Sequence, residues 1–191
     1  MTFEVITMWY NEEFLAPFFL NHYWQAKQIT IFYDNATRDN TLEEIANHNE
    51  SIKVKLQTIN LDQGLDEFRK IRYINEAYKR SKCDYVIVAD ADEFVFYEDC
   101  RFKRRIYWCA LAQIMRTPYD PELDSRLPID TWSYGFQEKL MIKPSIIRTG
   151  LKALFTVGHH GIEIKGKRIH RKLPQITAFL RTGCPARACL I

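Results

Sequence analysis

The first hundred residues alternate between short, continuous apolar runs and segments with helical spacing. Residues 3–10, FEVITMWY, predict a buried strand. Asn11-Glu12-Glu13 follows with helix-opening chemistry: Asn11 suits an N-cap, and the two acids suit the positive end of a helix dipole. Leu15, Phe18, Phe19, His22 and Ala26 share one helical face, and Pro17 requires that the regular helix start late or kink. Residues 29–33, ITIFY, predict a second strand, and 34–41, DNATRDNT, a turn. Thr41-Leu42-Glu43-Glu44 reads as a capping box opening a short helix. Residues 52–59 alternate and predict a third strand near a sheet edge. The clearest helix is 66–82, with Phe68, Ile71, Ile74 or Asn75, and Tyr78 on one face and Glu76 four residues before Arg80. Residues 85–89, YVIVA, are apolar without a break, as in a parallel strand covered on both faces. Strand and helix in this alternation imply a parallel α/β sheet with right-handed crossovers.

Beyond residue 97 the periodicity weakens. Residues 106–115 fit strand or helix, and the three prolines in 117–130 predict loop. KLMIKPSIIR and ALFTV predict two late strands, and 162–169 a hairpin turning at Lys165-Gly166. The final stretch, TGCPARACLI, has no period and suggests no fold role.

Composition adds little until it is divided. The 191 residues are 47% hydrophobic and 27% charged, as in a folded soluble domain, and no apolar run is long enough for a membrane helix. Five cysteines without a CxxC spacing read as reduced thiols, which fits a cytoplasmic setting. The net charge of +3 conceals a split: residues 1–100 hold 18 acids and 10 bases, residues 101–191 hold 6 acids and 17 bases. A basic half can meet a phosphate-bearing ligand, but the acidic half and the lack of a recognition motif argue against nucleic acid. The basic run 101–105 could meet anionic lipid headgroups if an acceptor were membrane-linked.

The candidate chemistry sits where YVIVA ends. Asp90, Asp92 and Glu93 follow directly, although clustered carboxylates repel and are costly to bury. In an extended segment Asp90 and Asp92 point to the same side, with small Ala91 between them. Paired hard oxygen ligands suit Mg²⁺ or Mn²⁺, and in open α/β sheets ligands bind beyond the carboxyl ends of the strands. No glycine-rich phosphate cradle is present, so a diphosphate would rely on the metal and on the late basic stretch 139–172, where nine Lys and Arg face a single acid, Glu163. Lys143, Arg148, Lys165 and Lys167 are candidates for that contact.

MWYNEEFLAPFFLNHY, IFYDNATRDNT and DYVIVADADEFVF, in that order, resemble glycosyltransferase family 2-type enzymes, in the branch whose acid motif reads D-x-D-E-F. The resemblance covers residues 3–97 well, is looser over 98–172 (KPSIIR, VGHHG) and stops there. It implies a single GT-A-like, Rossmann-like domain over 1–172: a mostly parallel central sheet flanked by helices, with a mixed small sheet in the second half. Residues 1–97 would form the nucleotide-binding half, 98–172 the acceptor and metal half, and 173–191 a tail. It also implies that Glu12 and Asp34 contact the nucleoside, that Asp90 lies near ribose and metal, and that Asp92 ligates Mn²⁺ or Mg²⁺. A late histidine, His160 rather than His159, would complete the metal shell. The implied reaction moves a sugar from a nucleotide-diphosphate donor to a glycan or lipid-linked hydroxyl. An inverting enzyme needs a carboxylate base; Glu138, set among aromatics, is the first candidate and Asp130 the second. The alternative is a non-catalytic nucleotide-sugar-binding module, or a shortened and inactive glycosyltransferase.

Overall fold

The computed structural model describes residues 1–48, 53–61, 66–95, 104–112, 141–156, 161–169 and 189–190. Four strands are laid down first: β1 (Phe3–Trp9), β2 (Gln28–Asp34), β3 (Val54–Ile59) and β4 (Tyr85–Val88). Three helices separate them: α1 (Ala16–His22), α2 (Thr41–Asn47) and α3 (Glu67–Arg80). Later strands are β5 (Ile106–Ala112), β6 (Met141–Arg148) and β10 (Cys189–Leu190) in the main sheet, and β7 (Ala153–Phe155), β8 (Ile162–Ile164) and β9 (Lys167–Ile169) in a small one.

The main sheet runs β3-β2-β1-β4-β6-β5-β10. β1 pairs in parallel with β2 and β4, and β2 with β3; β6 lies antiparallel between β4 and β5. This is the expected mostly parallel α/β sheet flanked by helices. The second sheet is antiparallel throughout rather than mixed, because β7, β8 and β9 are linked locally. Its hairpin turns at Lys165 (φ 52°) and Gly166 (φ 73°), the left-handed pair that a tight two-residue turn demands.

Strand alternation divides the core. Val5, Ile29, Ile31 and Ile87 pack with Phe19, Leu20 and Tyr23 on the α1 face. Ile6, Phe32, Val86 and Val88 pack with Ile74 and Tyr78 on the α3 face. Each such side chain contributes about 1.5–3 kcal/mol when fully buried. The small sheet docks on α3 through Phe155, whose ring meets Tyr78 edge-on and whose backbone N–H and carbonyl are both bound by Asn75.

Several local expectations change. Asn11 is not a helix cap; it takes a left-handed turn (φ 54°), and α1 begins at Ala16 with Pro17 in the first turn, where its missing N–H costs nothing. The buried residues here are Ala16, Phe19, Leu20, Tyr23 and Ala26; of the predicted face Phe19 and Ala26 are buried and Leu15 and His22 half-buried, while Phe18 faces outward. Thr41 does not form a capping box: Asn40 is the N-cap, without a side-chain cap bond. In α3, Asp66 caps the N–H groups of Phe68 and Arg69, and the inward face carries Lys70, Ile74, Ala77 and Tyr78, leaving Phe68 exposed. Pro144 is accommodated inside β6 next to a register shift between Tyr107 and Trp108 of β5. Cys189 and Leu190, given no fold role by their sequence, pair with Leu111 and Ala112 at the sheet edge. Among the described residues no helix is long and apolar enough to cross a membrane. The proline-rich stretch 117–130 lies outside the described residues.

Candidate functional site

The strand order reverses direction between β1 and β4, and a crevice opens beyond the carboxyl ends of the strands at such a point. A cavity of about 860 Å³ lies there. Its wall includes Trp9 at the end of β1 and Glu12 beyond it, Asp34 at the end of β2, Asn60 after β3, and Asp90 and Asp92 after β4.

Two loops interlock to build the first wall. The Thr41 hydroxyl accepts the Glu12 N–H at 2.8 Å and donates to Asp39 Oδ1. Asp39 Oδ2 accepts the Glu13 N–H, and Glu13 Oε2 accepts the Asn40 N–H, both at 2.9 Å. Asn11 Oδ1 accepts the Arg38 N–H at 2.9 Å. The NEE and RDNT segments are thus halves of one hydrogen-bonded unit. Asp34 is buried, and its Oδ1 accepts the Ala36 N–H, an Asx-type turn that ends β2.

The three acids after β4 have divided roles. Glu93 turns inward: its Oε2 accepts the Asp90 N–H at 2.8 Å and the ammonium of fully buried Lys143. Around it, the Tyr23 hydroxyl donates to the Glu93 carbonyl and accepts the Val95 N–H, both at 2.9 Å. His22 Nε2 lies 2.9 Å from the Val95 carbonyl, and Phe94 packs edge-on against His22. Glu93 therefore shapes the loop, while Asp90 and Asp92 face the cavity. Asp90 Oδ1 is bound at 2.8 Å by Lys70 Nζ, reaching across from α3.

Among the described residues that line the cavity, acids outnumber bases: Glu12, Asp34, Asp90 and Asp92 face a single cation, Lys70. Burial, followed by repulsion from Asp92, Asp39 and Asp90, pushes the Glu12 carboxyl up to about 7. Burial, then Asp90 and Glu93, raises the Asp92 carboxyl above the usual range. At Asp39, burial works in the same direction, but hydrogen bonds from the Thr41 hydroxyl and from the Glu13 and Thr41 N–H groups outweigh it and lower the carboxyl.

Carboxylate oxygens of this kind fit Mg²⁺ or Mn²⁺ in donor type. No group of three His, Cys, Asp or Glu side chains among the described residues is preset to hold an ion.

Of the sequence-predicted site residues, Glu12, Asp34, Asp90 and Asp92 come together. Lys143 does not line the cavity; it is spent on Glu93. Arg148 sits opposite Tyr85, at the amino end of β4, because β6 runs antiparallel; it is at the wrong end of the sheet for a ligand of the acids. Lys165 and Lys167 are exposed on the β8–β9 hairpin and do not line the cavity. Asp130, Glu138, His159 and His160 lie outside the described residues. Lys70 was missed, although its position on the apolar stripe of α3 with Ile74, Ala77 and Tyr78 is an anomaly visible in the sequence. The tethers made by Thr41 and Tyr23 carry no sequence signal of their own.

No protein-family model and no curated protein matches the chain. Among solved structures, it is similar to TarS 1–349 from S. aureus, with a TM-score of 0.47 and 16% identity over 80% of this chain and 48% of that one. It is also similar to HddC from Yersinia pseudotuberculosis, with a TM-score of 0.39 and 10% identity over 78% of this chain and 75% of that one. The chain spans about half the length of the TarS chain. Likenesses this loose carry no argument about chemistry, which rests on the cavity itself.

Proposed function

We propose that the chain is a glycosyltransferase that takes a sugar from a nucleotide-diphosphate donor and passes it to a hydroxyl of a glycan or lipid-linked glycan. The observation that carries this reading is the acid-lined cavity at the reversal point of the sheet, with Asp90 and Asp92 presented at its mouth by a loop braced from behind. Glu12 and Asp34, which line the cavity after β1 and at the end of β2, would meet the nucleoside. Asp90 and Asp92 would hold Mn²⁺ or Mg²⁺, which when bound supplies positive charge to the diphosphate. In the transfer, the bond from the sugar's anomeric carbon to the diphosphate oxygen breaks, and a bond to the acceptor oxygen forms. The acceptor proton passes to a carboxylate base, for which Glu138 and Asp130 are the candidates, and inversion is the expected outcome. Lys70 orients the Asp90 side chain in the absence of donor.

Asp92→Ala should abolish metal-dependent donor binding together with the slow hydrolysis of donor that a glycosyltransferase shows without acceptor. Binding and hydrolysis that persist unchanged in this variant would remove the metal role. Tight donor binding by the native chain without transfer or hydrolysis would instead favour a non-catalytic nucleotide-sugar-binding module.

A further inference from the structure

A second concavity, about 430 Å³, lies at the amino ends of the same strands. Its floor is the α3 face of the sheet. Toward the carboxyl ends this face is apolar, with Ile6 and Phe32 packed in one cluster with Ile74 of α3. At the amino ends it turns polar across three paired strands: Glu4, then Gln28 and Thr30, then Lys55 and Gln57. A sheet face beneath a helix normally carries apolar side chains, because an unpaired polar group is costly there. Glu4 and Thr30 are nonetheless buried, at 5% and 1% exposure.

The Glu4 carboxylate is held by neutral partners. Its Oε1 accepts from Thr30 Oγ1 at 2.5 Å and from Gln28 Nε2 at 2.9 Å. Among the described residues Oε2 has no hydrogen bond, so it remains able to accept one from a ligand hydroxyl. The rim is cationic: Lys27, Lys53, Lys55, Arg80 and Lys82. Arg80 is paired with Glu76 at 3.4 Å, whereas the four lysines are exposed and have no ion pair among the described residues. Tyr73 adds an aromatic wall. The volume is that of a small-molecule site. Along β1 the two sites are separated by the stretch from Met8 to Glu4, roughly 13 Å.

We propose that this concavity binds a small, polyhydroxylated, phosphate-bearing ligand of the sugar-phosphate class. Its phosphate meets the lysine rim, and its hydroxyls meet Glu4, Gln28 and Gln57. A phosphate alone would gain from the rim but not from the floor; a neutral sugar would gain the reverse. The site is independent of the acid cavity in both residues and charge.

The test is a titration of the isotopically labelled Asp92→Ala chain with glucose 1-phosphate in EDTA, followed by amide NMR, which keeps the outcome separate from that at the acid cavity. Shifts should cluster at Thr30, Lys55 and Lys82. Inorganic phosphate and glucose should each bind more weakly than glucose 1-phosphate. Lys55→Gln with Lys82→Gln should weaken binding about tenfold or more, since charge-assisted contacts to phosphate are the strong ones. Both lysines are exposed, so this variant should keep the native melting point. Glu4→Gln should weaken glucose 1-phosphate but leave inorganic phosphate unchanged. Absence of shifts at these residues, or equal affinity in the lysine variant, overturns the proposal. So does binding to phosphatidylglycerol vesicles with no response to glucose 1-phosphate, which would identify a lipid headgroup as the occupant.

Discussion

Glu12 has an unusual carboxyl for a residue on a solvent-facing cavity. Its value near 7 arises from burial and from three neighbouring carboxylates, and it means that the group carries a proton through mildly acidic pH. The folded state holds that proton more tightly than the unfolded chain, whose value is near 4.5. Its contribution to stability is therefore fully present below the unfolded value and is lost as pH rises through about 7. In EDTA, melting curves from pH 5 to pH 8 should show the native chain losing about 1–2 kcal/mol relative to Glu12→Gln, a figure discounted because the group is half-buried and water screens it. Identical pH profiles for the two proteins would show that burial and neighbouring carboxylates do not raise the Glu12 carboxyl. At this scale the position of Asp90 and Asp92 at the cavity was readable, because ligands of an α/β sheet bind beyond the carboxyl ends of its strands; Glu12 and Asp34, which line the same cavity, were implied only by the family resemblance. The sequence misdirected at Lys143 and Arg148. Both lie in a basic stretch, and the composition of a stretch cannot show that one residue is buried on a carboxylate and the other carried to the far end by an antiparallel strand.

The segment after β4 shows how an element is held from its neighbours. Glu93 and Lys143 form a buried ion pair linking the acid loop to β6, and Tyr23 ties the same loop to the end of α1. Removing one member of a buried pair strands the other, so Lys143→Met should cost about 3–5 kcal/mol. The double change Lys143→Met with Glu93→Gln should recover a large part of that loss, since it leaves no stranded charge. Chemical denaturation of the two variants checks this; equal losses would mean that the pair does not brace the loop. Tyr23→Phe should cost about 1–3 kcal/mol by freeing the Val95 N–H and the Glu93 carbonyl inside the protein. Elements with strong periods were legible: β1, β2, β4 and α3 fall within a residue or two of their predicted ends. The α1 face was legible only in part, with Phe19 and Ala26 buried but Phe18 exposed, because adjacent stripes there are both apolar. Cys189–Leu190 was illegible, since a two-residue edge strand has no period to detect.

Across the whole molecule, one sheet separates two chemically opposite ends. The carboxyl ends gather Glu12, Asp34, Asp90 and Asp92; the amino ends gather Lys27, Lys53, Lys55 and Lys82. The acid end was foreseeable from one motif, but the basic end was not, because its lysines come from separate strands and loops that only the strand order brings together. A cavity whose described lining holds four acids and one lysine should take an anionic nucleotide only in company with a cation. The direct measurement is a thermal-shift screen of nucleoside diphosphates and their sugars, each with and without Mn²⁺, on the native chain and on Asp92→Ala. A ligand that binds the folded state raises its melting temperature by mass action. The expected result is a rise for at least one donor with Mn²⁺ present, little or none without it, and none in the variant. A rise that is equal without Mn²⁺, or that survives Asp92→Ala, would contradict the account.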